Sequence, residues 1–584
     1  MAEAIDRMAS RREMAPATAG GEDSTRGKAT DDTGSERRTD EQRTTDNAVV
    51  GWGTMVSVPA VPRLLAGDWA VLGGYFALLI ASGLWFSRKR ARNTNDYFLA
   101  ARSMPVWAVA ISVLATAQSA ATFVGAPQAS YAGDLTYLST NIGGIIAAVL
   151  LAVYFIPAYY RLGVATPYGL LETRFGPGAR LGASWAYLVG RVFASGARVF
   201  VGALPGSLLI FGDISPLHLI VTISGFIIFG VLYTYVGGVG SAIWTDVLQV
   251  GVYLGAALVA IVVLWSRIGL GPGELMTALA HPPDGAASKL TVVRAGLDPS
   301  LPLWGFKPEQ PFTLLTVTTG FVLLTLASHG MDQDLVQRML TCRDAKKGAW
   351  SVISGVLVGI PAVSVFLFLG LLLYVFYKRP DVMGVASPGY APSSDSAFQT
   401  FAVREMAGGM AGLFLAGLFA AGPAGINSGL NSMASTFVND IYRRRVPHRE
   451  DSHYLRIGRL AVAGSGVSLG VFACLCIFFY DPAKSTLLDF VLGVMSFAYA
   501  GLLAMFLTAL FTRRGNSASA VAALFAGFMT VMVFQVPVWE WWTAQNAWTK
   551  ANLGPVRLAF PWQLVIGTGV AMAVCLCGTR RAKE

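Results

Sequence analysis

The sequence predicts an all-α polytopic membrane protein with about 13 transmembrane helices. Three observations carry that reading. The 584-residue chain is 54% hydrophobic and only 13% charged, against roughly 25% charged in a soluble domain. Its charges gather in short patches between apolar stretches, many of them long enough at about 20 residues to cross a bilayer as helix. One stretch also contains a carboxylate, Asp246. Charge inside a membrane segment is costly and marks an ion or solute path more often than packing.

The elements follow in chain order. Residues 1 to about 50 are Arg, Asp, Glu, Thr, Ser and Gly with almost no large apolar side chains. Such a segment cannot bury a core and is expected to be a disordered polar tail. A translation start at Met55 is the alternative, and mass spectrometry of the purified protein separates the two. No apolar segment of signal-peptide type precedes residue 68. Spans are expected near 68–87, 105–126, 138–160, 181–210, 216–235, 243–266, 312–334, 348–377, 406–438, 456–480, 487–511, 517–537 and 559–578. The runs at 181–210 and 406–438 exceed one bilayer thickness, so they tilt, kink or extend beyond it.

The net charge of +10 would suggest nucleic acid in a soluble protein. Here the cations lie in loops and read as topology, with no nucleic-acid partner. Arg88-Lys89-Arg90 with Arg92, then Arg174 and Arg180, Arg343 with Lys346-Lys347, Arg443-Arg444-Arg445, Arg513-Arg514 and Arg580-Arg581 fall on one side of this span order. By the positive-inside rule that side is cytoplasmic, with the N-terminus outside and the C-terminus inside. The loops at about 267–311 and 378–405 are then external.

The segmentation expected is a tail at 1–50, a leading helix and basic loop at 68–104, a ten-helix core at 105–515 and peripheral helices at 516–584. Ten spans split as two halves of five have opposite orientation, the plan of inverted-repeat transporters. The five cysteines lie in apolar runs or beside one basic loop, and their two Cys-x-Cys pairs are too isolated for a four-ligand zinc site.

Two spans carry unusual polarity. Thr116, Gln118, Ser119 and Thr122 precede Gly125 and Pro127 in the second. In the ninth, Gly422-Pro423 precedes Asn427, Ser428, Asn431 and Ser432. Pro frees a backbone carbonyl, and freed carbonyls at membrane depth need protein, water or an ion. Helix packing is the alternative use of such small and hydroxyl residues.

Tyr233-Thr-x-x-Gly-Gly followed by Trp244-Thr-Asp-x-x-Gln249 resembles the signature of the sodium:solute symporter family. Further matches run in order: Asp96-Tyr97-Phe98-Leu99 with Arg102-Ser103, Ala165-Thr166-Pro167-Tyr168 through Glu172-Thr173-Arg174-Phe175, Asp332-Gln-Asp-Leu-Val-Gln-Arg338, and Asn431-Ser432 with Ser435-Thr436 and Asp440-Ile-Tyr442. The resemblance covers roughly residues 68 to 515. It implies two inverted five-helix repeats of the LeuT-like fold and alternating access. It also implies sodium as coupling ion, with no organic cofactor, and a small organic solute bound where core helices 1 and 6 break. The Asp332–Arg338 run is most similar to the branch carrying monocarboxylates and vitamins.

The resemblance places the usual sodium site on backbone carbonyls at Ala115, Gln118 and Ala421 and on two adjacent hydroxyls. Those hydroxyl positions are Ala424 and Gly425 here, and neither side chain has an oxygen. A second site in some members joins the Trp-Thr-Asp aspartate to hydroxyls one turn on, at Asp246, Asn427 and Ser428. The expectation is therefore a cation near Asp246. A protonatable Asp246 also permits proton coupling, and loss of the ion gives a uniporter or a solute sensor on the same fold.

For the solute, Arg191 and Arg198 share a helix face. Arg191 is expected to snorkel toward the cytoplasmic surface. Arg198 lies deeper and needs an anion. Its candidates are Asp134 or Asp332 of the protein, or a carboxylate on the solute. Gln118, Ser119, Thr122, Thr325, Ser328 and His329 are the remaining pocket candidates. No Ser-His-Asp set, metal cluster or nucleotide loop supports an enzyme.

Overall fold

Helix α1, Ala66–Phe86, opens the fold of the computed structural model, which describes residues 64–86, 93–297, 305, 307–394, 396–406, 408–480, 487–552 and 556–579. The expected polar tail, Met55, the basic patch at 88–92 and Arg580-Arg581 lie outside those residues. Asp68, buried at the start of α1, accepts from the backbone N–H groups of Gly409 and Gly412, both at 2.9 Å. A carboxylate on the exposed amides of a helix start is favourable. It ties α1 to the helix that begins at Met410.

The chain then breaks a helix in mid-course. α2 runs Val106–Ala117 and α3 runs Ala120–Ala132. Between them Gln118 is extended, at φ −86 and ψ 147. The Ser119 amide donates to Thr122 Oγ1 at 3.4 Å and does not continue the helical ladder. This is the local competition by hydroxyls that disfavours helix interiors. The break therefore falls at Gln118-Ser119, whereas Gly125 and Pro127, the weak points expected from the sequence, are helical within α3.

α4 is Thr136–Leu162, α5 Pro177–Phe211, α6 Pro216–Tyr235 and α7 Gly238–Ile268. The last two meet in a turn so short that only Gly238, at φ 64 and ψ −178, leaves helical geometry. A side chain there would be strained by the positive φ. Its Cβ would also come within 2.9 Å of the Tyr97 carbonyl oxygen.

A second broken helix follows. α8, Leu314–Gly330, and α9, Gln333–Met339, bend by 64° at Met331-Asp332. The Asp332 carboxylate caps α9 by accepting from the Asp334 amide at 3.0 Å. Two carbonyls released by the bend are satisfied by tyrosines, as membrane-depth breaks require. Gly330 O accepts from the Tyr159 hydroxyl, and Met331 O from Tyr168 at 3.1 Å.

The remaining helices are α10 Ala345–Lys378, α11 Met410–Arg445, α12 Asp451–Phe479, α13 Leu487–Phe511, α14 Ser517–Val533 and α15 Phe560–Leu576. α11 stays helical through Gly422-Pro423, so the interruption expected there is absent. α10 packs along α2 and α3, the α6–α7 hairpin packs along α11, and α13, α14 and α15 pack together.

Among the described residues nine helices are long and apolar enough to cross a membrane, or up to eleven if each sharply bent pair is one span. α14 and α15 are apolar but have 17 residues each. The expected all-helical membrane architecture is present, while the count of thirteen is not established.

Charged loops brace both faces. Between α7 and α8, Lys289 donates to the carbonyls of Tyr131, Ala132 and Gly133 at 3.1, 3.2 and 2.6 Å, a cation at the C-terminal end of α3. Burial and the neighbouring Lys378 push its pKa down to about 8. Arg294 pairs with Asp134 at 2.5 Å. On the opposite face Arg180 bridges Glu172, at 2.7 Å, and Asp440, while Arg444 also reaches Glu172. The hydrogen bond from Arg444, with help from Arg180, holds the Glu172 carboxyl below its usual range.

Candidate functional site

The two helix breaks lie beside one cavity of about 200 Å³. Its polar lining includes Gln118, Thr122, Asn141, Arg198, Thr325 and His329, with Ser328 and Tyr499. Its apolar lining includes Leu114, Phe321, Leu324 and Met495. The expected pocket residues therefore meet, except Ser119, which is buried beside the cavity. Lining positions fall on both sides of the helix midpoints, with Tyr137 and Asn141 in the first half of α4, Leu324 to His329 in the second half of α8 and Gly355 to Gly359 in the first half of α10.

Several lining groups are held by neighbours. Gln118 Oε1 accepts from the Tyr253 hydroxyl at 3.0 Å, and its amide donates to Gly359 O at 3.5 Å. His329 Nδ1 lies 2.8 Å from Ser328 Oγ.

The two arginines of α5 differ from the expectation and from each other. Arg191 does not snorkel. It is 4% exposed and pairs with Asp332 at 3.0 Å and with Asp334. Tyr499 donates to the same Asp332 oxygen at 2.7 Å. Two carboxylates at the α8–α9 break supply more attraction than hydration at the membrane surface, so the side chain turns inward.

Arg198 donates to Thr116 O at 3.3 Å and meets Met495 Sδ at 3.3 Å. Its Nε is buried with no partner. The protein acids proposed for it are committed elsewhere, Asp134 to Arg294 and Asp332 to Arg191. The cavity thus contains a guanidinium with no carboxylate partner among the described residues.

The expected cation groups each have their own contacts. Asp246, 1% exposed on α7, accepts from Ser112 Oγ at 2.5 Å and pairs with Arg338 of α9 at 2.8 Å. Arg338 also donates from Nε to Thr116 Oγ1 at 2.5 Å. Asn427 faces α6, where the Thr234 hydroxyl lies 3.5 Å from its side-chain and main-chain oxygens. Ser428 Oγ is buried without a partner. The aspartate's contacts are Ser112 and Arg338, which sequence reasoning did not name. The signal available was an arginine, Arg338, in the same apolar context as Asp246.

The α2–α3 break alters the main-chain hydrogen bonds around Ala115 and Gln118. With the Ser119 amide turned away, the Ala115 carbonyl lacks its helical donor, and the Thr122 amide donates to Ser119 O and not to Gln118 O. Ala421 is buried on α11. The Ala424 side chain lies outside the described residues. A Cβ added at Gly425 would meet no atom within 4 Å.

Two helices broken at a shared central pocket, within an all-α membrane fold, define a secondary transporter of the LeuT-fold class. The model of the sodium:solute symporter family matches residues 97–527, and the chain belongs to that family. It is 28% identical over 476 residues to the sodium/sialic acid symporter SiaT of Proteus mirabilis, covering 80% of this chain and 88% of that protein. It is 27% identical over 495 residues to the human sodium/iodide cotransporter, covering 81% of this chain and 70% of that protein. A solved structure of a Na+-coupled sialic acid symporter in a substrate-bound outward-open state matches with TM-score 0.70 and 25% identity. The match covers 87% of this chain and 97% of that one.

Proposed function

We propose that this protein is a sodium-coupled symporter of a small organic solute bearing a carboxylate, working by alternating access. The observation that carries the reading is Arg198, a cavity guanidinium whose candidate protein acids are both paired elsewhere. A planar guanidinium binds a carboxylate through two parallel hydrogen bonds. The surrounding hydroxyl and amide groups suit further polar groups on the same solute, and the apolar wall suits its carbon frame. Both a monocarboxylate and an acidic sugar such as the sialic acid of the relatives satisfy this chemistry. Membership of a family of symporters supports transport as the activity.

The core corresponds to residues 105–515, with α1 leading and α14–α15 peripheral. The protein is an integral membrane protein, placed in the cell membrane with its N-terminus outside and its C-terminus cytoplasmic. On that orientation the cavity lies near the middle of the membrane, and the Glu172–Arg180–Asp440–Arg444 network lies on the inner face.

The test is a thermal-shift screen of small carboxylates against neutral analogues, each with and without sodium. A carboxylate is expected to raise the Tm only when sodium is present, because a ligand that binds the native state stabilises it by mass action. Stabilisation by neutral analogues alone sinks the carboxylate reading, and stabilisation indifferent to sodium sinks the coupling.

Sodium is assigned to the carbonyls of Ala115, Gln118 and Ala421. The void beside Gly425 gives a second expected result. Gly425→Ser adds one hard oxygen without a clash, and a net hydrogen-bond-scale gain of about 1.4 kcal/mol lowers the half-saturating sodium concentration roughly tenfold. Gly425→Ala leaves it unchanged. Sodium titrations followed by Tm distinguish the pair; equal midpoints for the two variants remove the site from this position.

A further inference from the structure

We propose that the groove between α6 and α12 is a binding site for an anionic phospholipid, whose phosphate is held by Arg456 and Arg459. The inference stands apart from the solute and ion readings above. The two helices lie side by side. A Cβ added at Gly466 of α12 would collide with Val231 of α6, and one at Gly470 would touch Ile227 at 3.4 Å. Two glycines thus let the helices approach closely, as small residues do between membrane helices.

Exposed apolar stripes border that contact line. On α12, Val467 and Val471 follow the two glycines in sequence, and on α6, Ile228 and Leu232 follow Ile227 and Val231; all four are exposed. The helices run antiparallel, so both sets of successors fall on the same side of the line. The stripes therefore flank one apolar groove, deep enough in the membrane to meet acyl chains.

The inner end of the groove is cationic. Arg456 continues the α12 stripe one turn below Leu460, and both are exposed. Tyr235 ends the α6 stripe, half-exposed, and Arg459 lies over its ring at 5.7 Å from the centroid. No carboxylate among the described residues pairs with Arg456 or Arg459. Asp451, at the start of α12, is engaged by Arg443 at 3.7 Å and by the Thr94 amide at 3.4 Å. Two guanidiniums three residues apart suit the oxygens of a phosphodiester. Tyr235 suits the boundary between headgroup and chain. On the proposed orientation this end meets the cytoplasmic leaflet, whose anionic lipids attract basic residues. A free phosphate offers the same charge without chains to fill the groove.

The experiment titrates phosphatidylglycerol into the full-length protein in neutral detergent and follows Tm, with bound lipid counted by native mass spectrometry. Phosphatidylcholine and inorganic phosphate are the comparators. The wild-type Tm is expected to rise with phosphatidylglycerol and with neither comparator. In the double variant Arg456→Gln with Arg459→Gln the half-saturating lipid concentration is expected to rise roughly thirty-fold, about five-fold for each basic group lost. Lys346→Gln with Lys347→Gln removes the same charge from another exposed inner loop. That control is expected to keep the wild-type midpoint.

Equal midpoints for the arginine variant and the wild type overturn the proposal, as does a wild type indifferent to phosphatidylglycerol. An equal loss in the lysine control reduces the effect to general charge attraction and removes the site. Stabilisation by inorganic phosphate that matches the lipid removes the groove and leaves a free-anion site. Both arginines are exposed and hold no acid of the protein, so their replacement leaves the fold intact.

Discussion

Arg198→Ala is expected to abolish measurable uptake while leaving the protein folded. Losing the charged partner of a desolvated carboxylate costs about 2–5 kcal/mol, between roughly thirty-fold and a few thousand-fold in solute Kd. Folding is spared because Arg198 neutralises no acid of the protein. Its partners are the Thr116 carbonyl and the Met495 sulfur, and an alanine leaves no buried carboxylate behind. Arg198→Lys keeps the charge but loses the paired geometry, so an intermediate Kd is expected. The measurement is solute binding by calorimetry beside a size-exclusion profile. A folded Arg198→Ala protein that binds its carboxylate at wild-type affinity removes Arg198 from the binding site.

Arg191→Met is expected to do the reverse and cripple folding. Seven residues away on the same helix, Arg191 holds Asp332 and Asp334 together at the α8–α9 break. Methionine fills much of the volume but leaves two carboxylates close together in a dry interior. Breaking one buried pair costs about 3–5 kcal/mol, a large part of the 5–15 kcal/mol that stabilises a typical domain. The expected result is little monodisperse protein, with partial rescue when Asp334→Asn removes one of the stranded charges. Normal yield and Tm for Arg191→Met would show that the acids protonate without structural cost.

These contrasting arginines show where the sequence was legible. Helices were legible because burying backbone in lipid needs long apolar runs, and hydropathy is a local quantity. The pocket set Gln118, Thr122, Arg198, Thr325 and His329 was legible because polar side chains in such runs have few other uses. Pairings were not legible. Whether Asp246 faces Asn427 or Arg338 depends on helix rotation and on contacts between segments remote in sequence.

Counting charges would have gone further than motif matching. Arg191, Arg198 and Arg338 stand in apolar context with Asp246, Asp332 and Asp334, and burial demands that they pair. That demand leaves Arg198 as the arginine in contact with none of these acids. The position of the helix break was misread for a different reason. Pro127 and Pro423 are tolerated inside helices, whereas the Ser119-to-Thr122 hydrogen bond that opens the chain at Gln118 is invisible without coordinates.

The turn at Gly238 sets the mechanics of α7. A helix joined to its neighbour through so short a connection pivots about that end and does not slide along its axis. Displacement then grows with distance from the fulcrum. Asp246 lies eight residues along, about 12 Å at 1.5 Å per residue, whereas Ile268 lies about 45 Å along. Tilting α7 by a given angle moves its far end nearly four times as far as Asp246. The Asp246–Arg338 contact sits near the still point of that lever, where an ion pair survives a motion that opens or closes the opposite rim.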